Sequence, residues 1–237
     1  LKAILGNILQ TFDKKELYAS LEEKAAIYEA ATKKGTNWSA HNNLGASYIA
    51  MAIENPSKAG EYADKAAAQL DIAAKIQETP EVNANLASIA LWKGNPYKAA
   101  AHAGKALNGA SNDVARGVNG VKGASEIYMA KYDAAVRSES AATGTDVNLF
   151  NKGLARILNK DYANAATSFK DATSKNGNYA IAFYGAAVAA ARSGNADGVV
   201  TNLTSAVKID PSLKEKALTD LEFGKFNTSE AFRNALK

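Results

Sequence analysis

The sequence predicts an all-α protein, a solenoid of antiparallel helix pairs, and three observations lead there. Small residues recur at matched points: Ala66, Ala99, Ala135, Ala165 and Val199, at spacings of 33, 36, 30 and 34 residues. A fixed period of this size marks stacked hairpins, because one hairpin cannot bury its apolar face alone. The composition is 47% hydrophobic with only four prolines. Much of that apolar content is alanine, the best helix former, and alternating β-branched runs are scarce. Finally, Phe183–Pro211, FYGAAVAAARSGNADGVVTNLTSAVKIDP, has the form of two short helices. Gly194-Asn195 makes their turn, Leu203 and Ala206 face inward, and Asp210-Pro211 stops the second helix.

The first unit, 1–36, opens with Leu1, Ile4, Leu5, Ile8 and Leu9 at helical spacing. Asp13 and Glu16 form a capping pair, and a long helix carries Leu17, Leu21, Ala25 and Tyr28 to Lys33. The unit 37–79 contains NWSAHNNLGASYIAMA, with a first helix over 39–54, a turn at Asn55-Pro56-Ser57 and a second helix to Gln77. Both helices are about one turn longer than usual, so this unit carries an insertion. In 80–112, Leu86 and Ala87 lead the first helix, Gly94 turns, and Ala99, Ala103 and Ala106 line the second. Tyr97 is expected to pack back on the first helix. Unit 113–145 is worn: Gly123 is its small residue, and its second helix decays into SESAATGTD, predicting a short helix and a loop over 143–146. Unit 146–178 recovers, with Gly153, Ala165, Phe169 and Ala172. Unit 179–211 has Gly185 as its small residue. Residues 212–237 supply capping helices, the first over 213–221 and the last starting at Thr228 or Ser229 with Phe232 and Leu236 inward.

The run Asn43-Leu44-Gly45-Ala46-Ser47-Tyr48, with Ala66, Leu70 and Ala73 behind it, resembles the tetratricopeptide repeat and its 34-residue period. The resemblance covers nearly the whole chain. It implies a right-handed superhelix of about five to six hairpins, non-catalytic, that binds a peptide or protein segment in a concave groove lined by first helices. Carried onto this chain, the groove positions include Asn42, Asn43, Asn85, Ser88, Phe150, Asn151 and Phe183. Asn43, Asn85 and Asn151 fall in one row. Asparagine both donates and accepts, so the row could pair with an extended backbone or bond a neighbouring helix. Phe150 and Phe183 could anchor a ligand or pack between repeats. None of the groove positions is Lys or Arg, so no carboxylate clamp is expected. The segments AHNNLGASYIA, EVNANLASIALWKGNPYKAA and LARILNKDYANAA are similar to repeat regions of large bacterial cell-envelope proteins. That implies a periplasmic or outer-membrane association.

Charge and chemistry narrow the classes. The formal net charge is +4 and the pI about 9.0, but the basic residues are scattered. A nucleic-acid footprint would cluster them on one face, so a nucleic-acid-binding helical repeat is the weaker alternative. A repeat domain regulating an enzyme upstream of Leu1 is the other. The chain has no cysteine, which removes disulfides and thiolate metal sites. LKAILGNILQ lacks the unbroken apolar core of a signal peptide, and no window has transmembrane length. His41 and His102 fall in different units without metal-like partners, and His41 takes a packing position. No nucleophile elbow or phosphate loop is present, and Glu22-Glu23 is expected to be solvated. No enzyme activity, metal or cofactor is expected.

Overall fold

Helices in this chain start where a short polar side chain can take up the free amides of a first turn. The computed structural model describes residues 20–34 and 36–237. Ser20 and Glu23 cap α1 (Leu21–Thr32) reciprocally, at 3.1 and 2.9 Å. Asn37 caps α2 (Trp38–Glu54), and a 3-10 turn at Pro56–Lys58 leads into α3 (Ala59–Ile76). Thr79 and Pro80 open α4 (Pro80–Trp92), and Asn95 and Pro96 open α5 (Pro96–Leu107). Ser111 caps α6 (Asn112–Tyr128), and α7 (Tyr132–Ala141) follows. Thr145 caps α8 (Asp146–Leu158), before α9 (Tyr162–Lys175) and α10 (Ala180–Arg192). Asn195 caps α11 (Ala196–Ile209), and α12 (Leu213–Thr219) and α13 (Glu230–Ala235) end the chain. No strand occurs among the described residues. The fold is an all-α solenoid of helical repeats. The helix expected over Leu1–Leu9, the Asp13–Glu16 pair and Leu17 lie outside the described residues.

Four hairpin turns share one device. Gly94, Ala130, Lys160 and Gly194 have φ of 76°, 57°, 63° and 73°. This left-handed residue ends each first helix and reverses the chain. The lengthened unit is present, α2 and α3 running 17 and 18 residues against 13 and 12 for α4 and α5. The worn unit has a second helix of only 10 residues. The first capping helix, α12, stops at Thr219, short of the expected Leu221. Asp220 is extended, and its carboxylate accepts from Glu222 N at 3.0 Å to start a 3-10 turn over Leu221–Phe223.

The chain divides into two compact bodies, 20–130 with 141–143, and 131–140 with 144–237. In the first, Ala25 and Tyr28 of α1 pack with Leu44 and Met51 of α2. Ile49, Ala66, Leu70, Ala73, Val82 and Leu86 form the core that joins α2, α3 and α4. In the second, Phe169 of α9 fills the space beside Gly153 of α8 and Gly185 of α10. Beyond it Tyr184 meets Phe223 edge-on at 5.5 Å and Phe223 meets Phe232 at a tilt at 5.9 Å, and Tyr184 donates to Asp220 at 2.7 Å.

A Cβ on Gly153 would lie 2.8 Å from the Phe169 ring. Gly153→Ala is expected to cost about 1–3 kcal/mol in urea unfolding through overpacking. Phe169→Leu in the same chain should recover part of that loss, which a double-mutant cycle measures.

Candidate protein-binding surfaces

The asparagine row is largely interior. In the first body, Asn85 of α4 donates through Nδ2 to Asn42 Oδ1 of α2 at 3.0 Å, and Asn42 donates to Asn43 Oδ1 at 3.3 Å. Asn42 and Asn85 are 1% and 0% exposed, and Ser88 is buried, donating to Ala84 O at 3.1 Å. Asn85 Oδ1 has no hydrogen-bond partner. For Asn85 the bond is therefore to a neighbouring helix. Asn43 is half-buried and alone among these four reaches the surface.

In the second body Phe150 and Asn151 are both 0% exposed. Phe150 packs against Phe169 at 5.6 Å and Tyr179 at 5.7 Å, so it joins α8, α9 and the start of the next hairpin rather than facing a ligand. Burial, with Asp146 nearby, pushes the Tyr179 phenol up. Phe183 is out of the asparagine row. The left-handed Lys160 and Gly194 are 34 residues apart, which sets Ala187, not Gly185, opposite Gly153. Phe183 then falls two positions from the asparagines, at the base of a groove between the second helices α9 and α11. Tyr97 also departs from expectation. It is 72% exposed and does not pack back on α4, because Pro96 at the first position of α5 carries the turn without it. His41 is half-buried rather than core, with Nδ1 2.8 Å from Gln69 Oε1 of α3.

One register position carries an exposed apolar side chain that the repeat motif does not require. Trp92, Tyr128 and Leu158 each stand two residues before a left-handed turn residue, and they are 37%, 52% and 40% exposed. The signal lies in LWKG, IYMA and ILNK, an exposed apolar side chain ending three first helices.

The polar cluster at His102 is self-satisfied. His102 Nδ1 faces Asn83 Oδ1 at 2.9 Å, and Lys105 pairs with Glu78 at 2.7 Å. A cavity of about 240 Å³ opens beside it, lined by Glu78, Thr79, Asn83 and Lys105. Burial, then the charges of Lys98 and Lys105, hold the His102 imidazole below its ordinary range. Among the described residues no grouping of His, Asp and Glu could hold a metal ion, and no helix is long and apolar enough to cross a membrane.

No family model and no curated protein matches this sequence. Solved structures do share the fold. The tetratricopeptide-repeat protein YrrB, described with an unusual peptide-binding site, aligns at 17% identity and TM-score 0.59, over 79% of this chain and 94% of its own. The Cut9–Hcn1 hetero-tetramer of APC/C aligns at 13% and TM-score 0.67, over 92% of this chain, which spans only 40% of that one. The C-terminal part of a tetratricopeptide-repeat protein from Cytophaga hutchinsonii aligns at 14% and 0.56, over 92% and 95%. The fold is that of the tetratricopeptide-repeat proteins.

Asn42→Ala should destabilise more than Asn85→Ala, by about 1 kcal/mol in urea unfolding. It strips the Asn85 amide of the acceptor it has among the described residues, whereas Asn85→Ala also removes an unpaired carbonyl. For His102 the folded state disfavours the proton, so its contribution is whole above the unfolded pKa of about 6.5 and is lost as pH falls toward the lowered folded value. NMR titration should place the His102 midpoint below about 6.5, and His102→Gln should flatten the pH dependence of unfolding in that window.

Proposed function

We propose that the chain is a non-catalytic scaffold that holds a protein or peptide segment along the first helices of its hairpins. The observation that carries this reading is the repeated exposure of Trp92, Tyr128 and Leu158 at one register position. An apolar side chain left partly in water at the same place in three hairpins offers surface that a partner can cover. Aromatic side chains of this kind supply most of the energy at protein interfaces. The half-buried Asn43 adds a polar group on the first-helix side of α2. The shared fold supports the reading too, since YrrB is described by its peptide-binding site. Asn42, Asn85, Ser88, Phe150 and Asn151 are buried, so the exposed apolar positions set the ligand's chemistry, and an apolar segment fits them better than a chain-terminal carboxylate. We further place the chain within a larger bacterial envelope protein, on the similarity of its three repeat segments.

Selection of a displayed random-peptide library against the protein tests this reading. Enriched peptides are expected, and a Trp92→Ala/Tyr128→Ala variant of unchanged helicity should bind them at least about tenfold more weakly. Failure to enrich any peptide would remove the scaffold, and enrichment indifferent to both substitutions would remove the first-helix face. Fractionation leaving the full-length protein in the cytosol would remove the envelope assignment.

A further inference from the structure

We infer that the trough between α9 and α11 is a second docking site, for an extended acidic segment carrying one bulky apolar side chain. Two cavities, of about 490 and 560 Å³, share Phe183 as a lining residue. One is floored by Ala186 and Ala190 of α10 and bounded by Lys170 of α9 and by Gly198 and Asn202 of α11. The other continues past Phe183 to Asn178, Ser205 and Lys208.

The preceding hairpin shows why this one is open. The 34-residue register sets Lys152 against Ala186, Arg156 against Ala190 and Asn164 against Gly198. In the α8–α9 hairpin the Arg156 guanidinium donates to Asn164 O at 3.0 Å and Ser168 Oγ at 2.6 Å, filling the corresponding space. In α10–α11 the same positions carry a methyl group or hydrogen and line one of the two cavities. Gly198 is further fixed, because a Cβ there would stand 3.0 Å from Ala190 Cβ.

Length and charge define the occupant. The 14 residues of α11 run about 21 Å, the reach of roughly six or seven residues of extended chain. Such a chain turns alternate side chains to opposite sides, so one can seat against Phe183 while its neighbours meet the rims. The only charged residues lining the two cavities are Lys170 and Lys208. Neither makes an ion pair among the described residues. Two unpaired cations beside an apolar trough complement carboxylates. A nucleic acid fits less well: two cations neutralise few phosphates, and the floor of alanine and glycine takes a side chain rather than a stacked base.

The test is a fluorescence-anisotropy titration of the whole chain with a labelled heptapeptide, three acidic residues on each side of one phenylalanine. Saturable binding that weakens with salt is expected. Phe183→Ala should weaken it at least tenfold, and Lys170→Glu/Lys208→Glu should abolish it. Ala190→Arg, which places the arginine of the preceding hairpin at the matching position, should block it with helicity unchanged. Circular dichroism checks each variant. Trp92→Ala/Tyr128→Ala should leave the affinity unchanged. No binding to the parent chain overturns the inference, as does binding indifferent to Phe183→Ala and Ala190→Arg. Loss of binding in the Trp92/Tyr128 variant instead would assign the peptide to the first-helix face. Equal binding of a single-stranded oligonucleotide at Phe183 would overturn the acidic-peptide assignment and leave the scaffold reading untouched.

Discussion

The constraint on which the rest depends is how closely two helices can approach at one small residue. Ridges pack into grooves only where a side chain on one helix finds room on the other. A Cβ on Gly45 would lie 2.7 Å from Leu70, and one on Gly185 would lie 2.5 Å from Phe169. The pairing follows volume. Glycine stands against leucine or phenylalanine, while in α4–α5 the register sets Ala87 against Ala103, both 0% exposed, and no glycine is needed. Interiors packed at crystal-like density leave no slack for another choice. The alanine-rich composition is therefore a requirement of the geometry as well as of helix propensity.

The fold was legible because this packing repeats. Turns at Gly94 and Gly194, the lengthened unit 37–79 and the short helix near residue 140 all follow from residues that recur or fail to recur. The worn unit shows where such reading weakens. The position held by Leu70, Ala103, Phe169 and Leu203 elsewhere is Glu139, which is 3% exposed. Asn148 donates to it at 3.1 Å. Ser138 is buried beside it. A core position held by a hydrogen-bonded carboxylate carries no apolar signal, so α7 continues to Ala141 through a segment whose composition points to decay.

The candidate site was less legible, for two physical reasons. Sequence register places a residue on a helix face but does not say how much of that face the neighbours cover. Asn42, Asn85 and Asn151 share the expected chemistry, yet their side chains lie inside, and Asn85 spends its amide on Asn42. Phe183 was misplaced by a different route. Gly185 looks like the small residue of its unit, and it does pack against Phe169. The backbone phase is set by Gly194, however, and a shift of two residues turns a helical side chain by about 200°. Trp92, Tyr128 and Leu158 were visible all along, but their meaning depends on knowing which residue turns left-handed.

That phase also explains how one hairpin can open a trough without loosening. Ala186 and Ala190 sit on the face of α10 toward α9 and α11, while Ala187, Leu203 and Ala206 hold the interior at 0% exposure. Removing bulk from the first face leaves the second intact, because positions three and four residues apart share a face and intervening ones do not. In α8–α9 the same face is closed by Arg156, whose two hydrogen bonds to Asn164 and Ser168 stabilise that hairpin by a modest amount, on the order of 1–3 kcal/mol for a charged donor. The hairpin α10–α11 forgoes that gain and keeps its core from helix-forming alanine and a well-capped second helix, with Asn195 accepting from Gly198 N at 2.9 Å. Loss of the plug is a local trade of stability for accessible surface, made on the outer side of the hairpin where it does not disturb the packing that the fold requires.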